Sequence, residues 1–136
     1  MNKVLKSLVV IASLLFLAGC EEPLSESDEI LQNAYDNKTS GLQVEGSGEV
    51  TRLLADDTEG DKHQRFIVTL DSGQTLLIAH NIDIAPRIDV IATGNRIEFY
   101  GVYEWNDEGG VIHWTHHDPA GKHVDGWLKY KGETYE

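Results

Sequence analysis

The spacing of the apolar residues constrains this chain more than any other feature. From Glu49 onward they recur at every second position in short runs, each closed by glycine, proline, asparagine or aspartate. A period of two belongs to strands that bury one face, so this stretch does not encode a helical domain. The cleanest run is His63–Leu70, where Gln64, Phe66, Val68 and Leu70 share one face and His63, Arg65, Ile67 and Thr69 the other. Asp71-Ser72-Gly73 reads as a hairpin turn. Gln74–His80 returns with the continuous apolar run Leu76-Leu77-Ile78-Ala79, which predicts a central strand. Glu49–Ala55 reads as the first strand, behind Gly46-Ser47-Gly48, and Asn95–Glu104 as the fourth, with Ile97, Phe99, Gly101 and Tyr103 inward. Val111–Thr115 predicts a fifth strand and Gly126–Lys131 a sixth.

Between the third and fourth strands, Asn81–Gly94 is interrupted by Pro86 and Gly94 and leaves room for a short helical turn near Ile88–Ile91. Five short strands with one irregular connection predict an all-β fold, a small OB-like Greek-key barrel, with a small open sandwich as the alternative. In such a barrel the loops Asp56–Lys62 and Trp105–Gly110 would flank the binding face. Ahead of the strands, Ser27 reads as a cap, Asp28 and Glu29 suit the positive end of a helix dipole, and Ile30, Leu31, Ala34 and Tyr35 form one stripe. These residues predict one N-terminal amphipathic helix, Ser27–Lys38, covering an open end of the sheet.

The start of the chain carries a different signal. Lys3 and Lys6 precede the apolar run Leu8–Leu17, which is too short to span a bilayer comfortably. The run ends in Leu17-Ala18-Gly19-Cys20, which resembles the lipobox of a bacterial lipoprotein signal peptide. That resemblance implies cleavage before Cys20, lipidation of the Cys20 thiol and a membrane partner held through that lipid. Since Glu21 is not the aspartate that retains many such lipoproteins at the inner membrane, it implies the outer membrane, facing the periplasm. Cys20 is the chain's one cysteine, so no internal disulfide or thiolate site follows it. The expected organisation is a signal peptide over 1–19, a lipidated tether and short helix over 20–46, and the barrel over 47–136. The roughly 117 residues after cleavage suffice for one domain with one core.

Charge narrows the partners. Without Lys3 and Lys6, 9 basic residues face 23 acidic ones, a net −14 with neutral histidines. A surface that acidic does not bind duplex nucleic acid by bulk electrostatics.

The residue types that carry chemistry are concentrated. Val111–Trp127 holds four of the six histidines, two of the three tryptophans and the aspartates Asp118 and Asp125. His113, His116, His117 and Asp118 could supply ligands to a divalent transition metal, and Pro119 permits the turn that two adjacent histidines need to converge. No HExxH or CxxC spacing is present, and the plainer reading is that Asp118 caps the turn while the histidines pack or stay solvated. His63 and Arg65 share a strand face, while His80, Asn81 and Asp83 end the neighbouring strand. Arg65 is a candidate fork for a carboxylate or phosphate, or simply a surface ion pair. Trp105, in a turn beside Asn106, is a candidate stacking platform.

His63-Gln64-Arg65-Phe66, Ala79-His80-Asn81-Ile82-Asp83, Tyr103-Glu104-Trp105-Asn106 and His113-Trp114-Thr115-His116-His117-Asp118-Pro119 together resemble a small bacterial family known only as a domain of unknown function, with the tetrapeptide His116–Pro119 as its signature. The resemblance runs from about Gly48 to the C-terminus and implies that these residues form one site, without bringing an activity. Two function classes follow. One is an envelope-anchored binding domain that grips a small or polymeric ligand through His63, Arg65, Asn81, Asp83 and Trp105, with or without a metal. The other is a metal-dependent hydrolase of phosphodiesterase or nuclease type, with His80, His116, His117 and Asp118 as catalytic candidates and Arg65 stabilising developing charge.

Overall fold

In a computed structural model that describes residues 22–136, the alternating runs close on themselves. The strands are β1 (Leu42–Leu53), β2 (His63–Thr69), β3 (Thr75–Asn81), β4 (Arg96–Glu104), β5 (Val111–His113), β6 (Trp127–Tyr130) and β7 (Glu133–Tyr135), and one helix, α1 (Glu26–Asp36), precedes them. The sheet order is β1-β2-β3-β5-β4-β6-β7, and β1 also pairs with β4, so strands one to five form a closed barrel. The β3–β5 pair is parallel and the other pairs are antiparallel. The expected all-β barrel with one short helix is therefore what the chain forms. The expected signal peptide and Cys20 lie outside the described residues, among which no helix is long and apolar enough to cross a membrane.

The strand faces follow the period of two. Phe66 and Val68 of β2, Leu76 and Ile78 of β3, and Ile97, Phe99 and Tyr103 of β4 are buried together with Ile112 and Leu128. The irregular β3–β4 connection contributes its own plug. Ile88 is fully buried, and the buried Gln64 amide clasps its backbone, donating to the Ile88 carbonyl and accepting from its N–H, both at 2.9 Å. The tight segment expected near Ile88–Ile91 is one turn, closed by Ile91 N–H to Ile88 O.

Four boundaries differ from expectation. The helix cap is Ser25 rather than Ser27. Its hydroxyl accepts the Asp28 N–H at 3.2 Å, which puts Glu26, Asp28 and Glu29 in the first turn. Leu31 and Ala34 enter the core, whereas Ile30 is 43% exposed, because the buried side of the helix runs through Asp28, whose carboxylate accepts the Ser72 N–H. β1 begins at Leu42 rather than Glu49 and passes through Gly46-Ser47-Gly48. These glycines make room where the strand passes the core: a Cβ on Gly46 would lie 2.6 Å from the Phe99 ring, and one on Gly48 2.6 Å from Val68 Cγ1. β5 stops at His113 because Trp114 takes a left-handed conformation, φ 55°. Finally, Lys131-Gly132, with φ 49° and 81°, turns β6 into the additional strand β7.

Candidate functional site

Strand direction decides which polar residues meet. Antiparallel pairing sets His63 opposite Asn81, and parallel pairing of β3 with β5 brings the chain after His113 to the same end of the barrel. His63, His80, Asn81, Thr115 and His116 therefore gather at one end. Trp105 sits at the other, beside α1.

His80 points into the barrel and is 0% exposed. Its Nε2–H donates to the Pro86 carbonyl at 3.0 Å, and its Nδ1 accepts from the Thr115 hydroxyl at 2.7 Å. Burial penalises the charged ring and lowers its pKa from 6.5 to about 4; nearby His116 and His63 push the same way, and the Pro86 carbonyl opposes them. His80, a catalytic candidate from the sequence, is thus a neutral core residue with both nitrogens occupied.

The loop after β5 is tied down by its own residues. The Asp118 carboxylate accepts N–H groups from Ala120, Lys122 and His123 at 2.7–2.9 Å, and its own N–H donates to Asp125. Those bonds, the one from His123 first, hold its pKa below the usual carboxylate range. His116 is buried and donates from Nδ1 to the His117 carbonyl at 2.6 Å, while His117 itself is exposed. The indole of Trp114 packs against the rings of both His116 and His123, with centroids 5.2 and 4.0 Å away. His113 faces outward from β5 and meets Glu104 at 3.3 Å. Among the described residues no three His, Cys, Asp or Glu side chains are spaced to hold a metal ion, so His113, His116, His117 and Asp118 do not assemble the expected ligand set. The physical reason is that both oxygens of Asp118 already serve the backbone.

The other candidates hold loops together. His63 Nδ1 donates to the Asp61 carbonyl, Asn81 donates to the Asp61 carboxylate and accepts from Asp83 N–H, and Asp83 accepts from Lys62 N–H. These bonds zip the β1–β2 loop to the β3–β4 connection. Arg65 directs Nε and Nη2 at the Ala55 carbonyl, 3.1 and 3.0 Å away, rather than at a carboxylate. Trp105 pins α1: its indole N–H donates to Tyr35 O, its backbone N–H to Ser40, and its ring stacks on Tyr35 with Lys38 above it. Its ring is committed to the helix rather than held out as a platform.

One feature was not foreseen. A cavity of about 370 Å³ opens on the outer face of β1, β2 and β3, beneath the β4–β5 loop, with Ile67 and Leu77 as its apolar floor and Thr51, Arg52, Asn106 and Glu108 around it. A bulge between Val50 and Arg52 allows the consecutive residues Thr51 and Arg52 to line it together. Its sequence signal was present in Ile67 and Leu77, apolar side chains on outward positions of neighbouring strands.

Strand order, parallel β3–β5 pairing and this open face define a small OB-type barrel. The chain belongs to a family of proteins of unknown function, DUF3465, whose model matches residues 11–136. No curated protein matches it.

Proposed function

We propose that this protein is an envelope lipoprotein, anchored through a lipid on Cys20 at the periplasmic face of the outer membrane, whose barrel binds a small or polymeric ligand on the outer face of β1, β2 and β3. One observation carries the binding reading: Ile67 and Leu77, apolar and only half-buried, floor a cavity lined by the hydroxyls of Thr51 and Thr75, the amide of Asn106 and the charges of Arg52 and Glu108. An apolar floor with a few convergent polar groups is what a ligand site needs, and it lies where OB barrels commonly bind oligomers. No aromatic ring lines the cavity, and the domain is strongly acidic, so base stacking on nucleic acid is disfavoured. Peptides, glycans and small carboxylic acids fit its mixture of apolar and hydrogen-bonding groups better. The metal-dependent hydrolase would need ligands that the described residues do not bring together.

The test is a fragment library of sugars, short peptides and carboxylic acids, read by methyl NMR of the full chain. Hits should shift Ile67 and Leu77, and Arg52→Glu should weaken the acids at least tenfold while amide dispersion is retained. Hits that cluster on the histidine end, or carboxylic acids whose binding ignores Arg52→Glu, would overturn this assignment.

A further inference from the structure

Elsewhere on the barrel, two adjoining cavities carry opposite charge. The first, about 430 Å³, lies between the start of α1 and β1 and is faced by the carboxylates of Glu26, Glu45 and Glu98. The second, about 290 Å³, is faced by Arg96, Lys129 and Lys131, three of the nine basic residues beyond the leader. Ser47 and Glu98 line both, so the two form one groove.

The register explains the adjacency. Ser47 pairs with Glu98 across β1–β4, and Glu98 with Lys129 across β4–β6, which places a hydroxyl, a carboxylate and an ammonium in one row. Although Glu98 and Lys129 are direct cross-strand neighbours, they form no ion pair. Lys129 Nζ instead rests over the Trp127 ring at 4.2 Å, and Lys131 Nζ over Tyr130 at 5.6 Å. Arg96 gives one nitrogen to Ser47 Oγ and another to Asp71, each at 3.2 Å; that ion pair is exposed and easily exchanged. The groove thus keeps separated charges of both signs available.

We propose that this groove binds a zwitterionic ligand of the phosphoethanolamine class, with its ammonium among Glu26, Glu45 and Glu98 and its phosphate among Ser47, Arg96, Lys129 and Lys131. The two charge clusters meet at Ser47 and Glu98, so a short linker between ammonium and phosphate suffices for one ligand to reach both. Three cations favour a phosphate over a single carboxylate.

Binding to the full chain should be measured by amide chemical shifts with O-phosphorylethanolamine, glycerophosphoethanolamine, ethanolamine and inorganic phosphate. O-phosphorylethanolamine should perturb Glu98 and Lys129 and bind at least tenfold more tightly than ethanolamine or phosphate. Equal binding of the glycerol diester, which is a lipid headgroup without its acyl chains, supports the same chemistry with a lipid source; binding of the monoester alone supports a soluble source. Glu98→Gln should weaken O-phosphorylethanolamine at least tenfold and leave phosphate unchanged, whereas Lys129→Ala with Lys131→Ala should weaken both. Arg52→Glu, in the other cavity, should alter neither. If phosphate alone binds as tightly as O-phosphorylethanolamine, or no ligand perturbs the groove, the assignment is wrong.

Discussion

His80 shows how one side chain can tie stability to pH. The folded barrel holds it neutral, with a pKa of about 4 against 6.5 for an unburied histidine, because burial removes the water that would solvate its charge. Between those two values the unfolded chain takes up a proton that the folded chain refuses, so stability is full above about pH 6.5 and falls as the pH drops towards 4. The whole loss is on the order of 3 kcal/mol, since each tenfold change in proton affinity is worth about 1.4 kcal/mol. His116 and His63, the titratable neighbours that act on His80, push its pKa in the same direction. Urea denaturation between pH 7.5 and 4 should show this slope, and His80→Gln should flatten it even if it lowers stability throughout. Equal slopes in the two proteins would mean that other groups carry the pH dependence. Asp118 acts lower on the scale: its depressed pKa contributes stability above the ordinary carboxylate pKa, lost as the pH falls through the depressed value.

At the scale of elements, glycine both misled the reading of β1 and explains it. Gly46 and Gly48 look like breakers because glycine weakens a strand and marks turns. Within β1 they permit close approach instead, and Gly48 is the more constrained because its hypothetical Cβ meets the Thr69 carbonyl at 2.7 Å as well as Val68. Gly48→Ala should therefore destabilise the domain by about 1–3 kcal/mol, the usual cost of overpacking, in thermal or urea denaturation. A loss below about 0.5 kcal/mol would show that β1 shifts without resistance. The faces of β2 and β4 were legible, since Phe66 and Phe99 lie on runs where the period of two is unbroken and both are fully buried. The candidate site was legible only as a cluster. Histidines and aspartates near strand ends do gather at one end, but the partners of His63, His116 and Asp118 are backbone groups, which side-chain identity does not reveal. The β1–β3 cavity escaped notice for a related reason, because its lining depends on a bulge that shifts the pairing by one residue.

For the whole molecule, the anchor and the two cavities belong to one proposal about position. A domain tied by its first mature residue has α1 as the element nearest the tether, and α1 packs on the barrel through Leu31, Gln74 and Trp105. The charged groove opens beside the start of that helix, through Ser25 and Glu26, so a short tether would hold it near the membrane surface. The β1–β3 cavity lies instead under the β4–β5 loop. This arrangement rests on lipidation of Cys20, which several acyl chains on one residue would make a firm attachment. Cys20→Ser should abolish incorporation of labelled fatty acid, leave the precursor uncleaved by the lipoprotein peptidase and remove the mature protein from the outer-membrane fraction. The folded domain should survive, because the substitution lies outside α1, which begins at Glu26, and outside the strands of the barrel. Normal processing and unchanged fractionation in that variant would defeat the anchoring proposal, while leaving ligand binding by the two cavities to stand or fall on its own measurements.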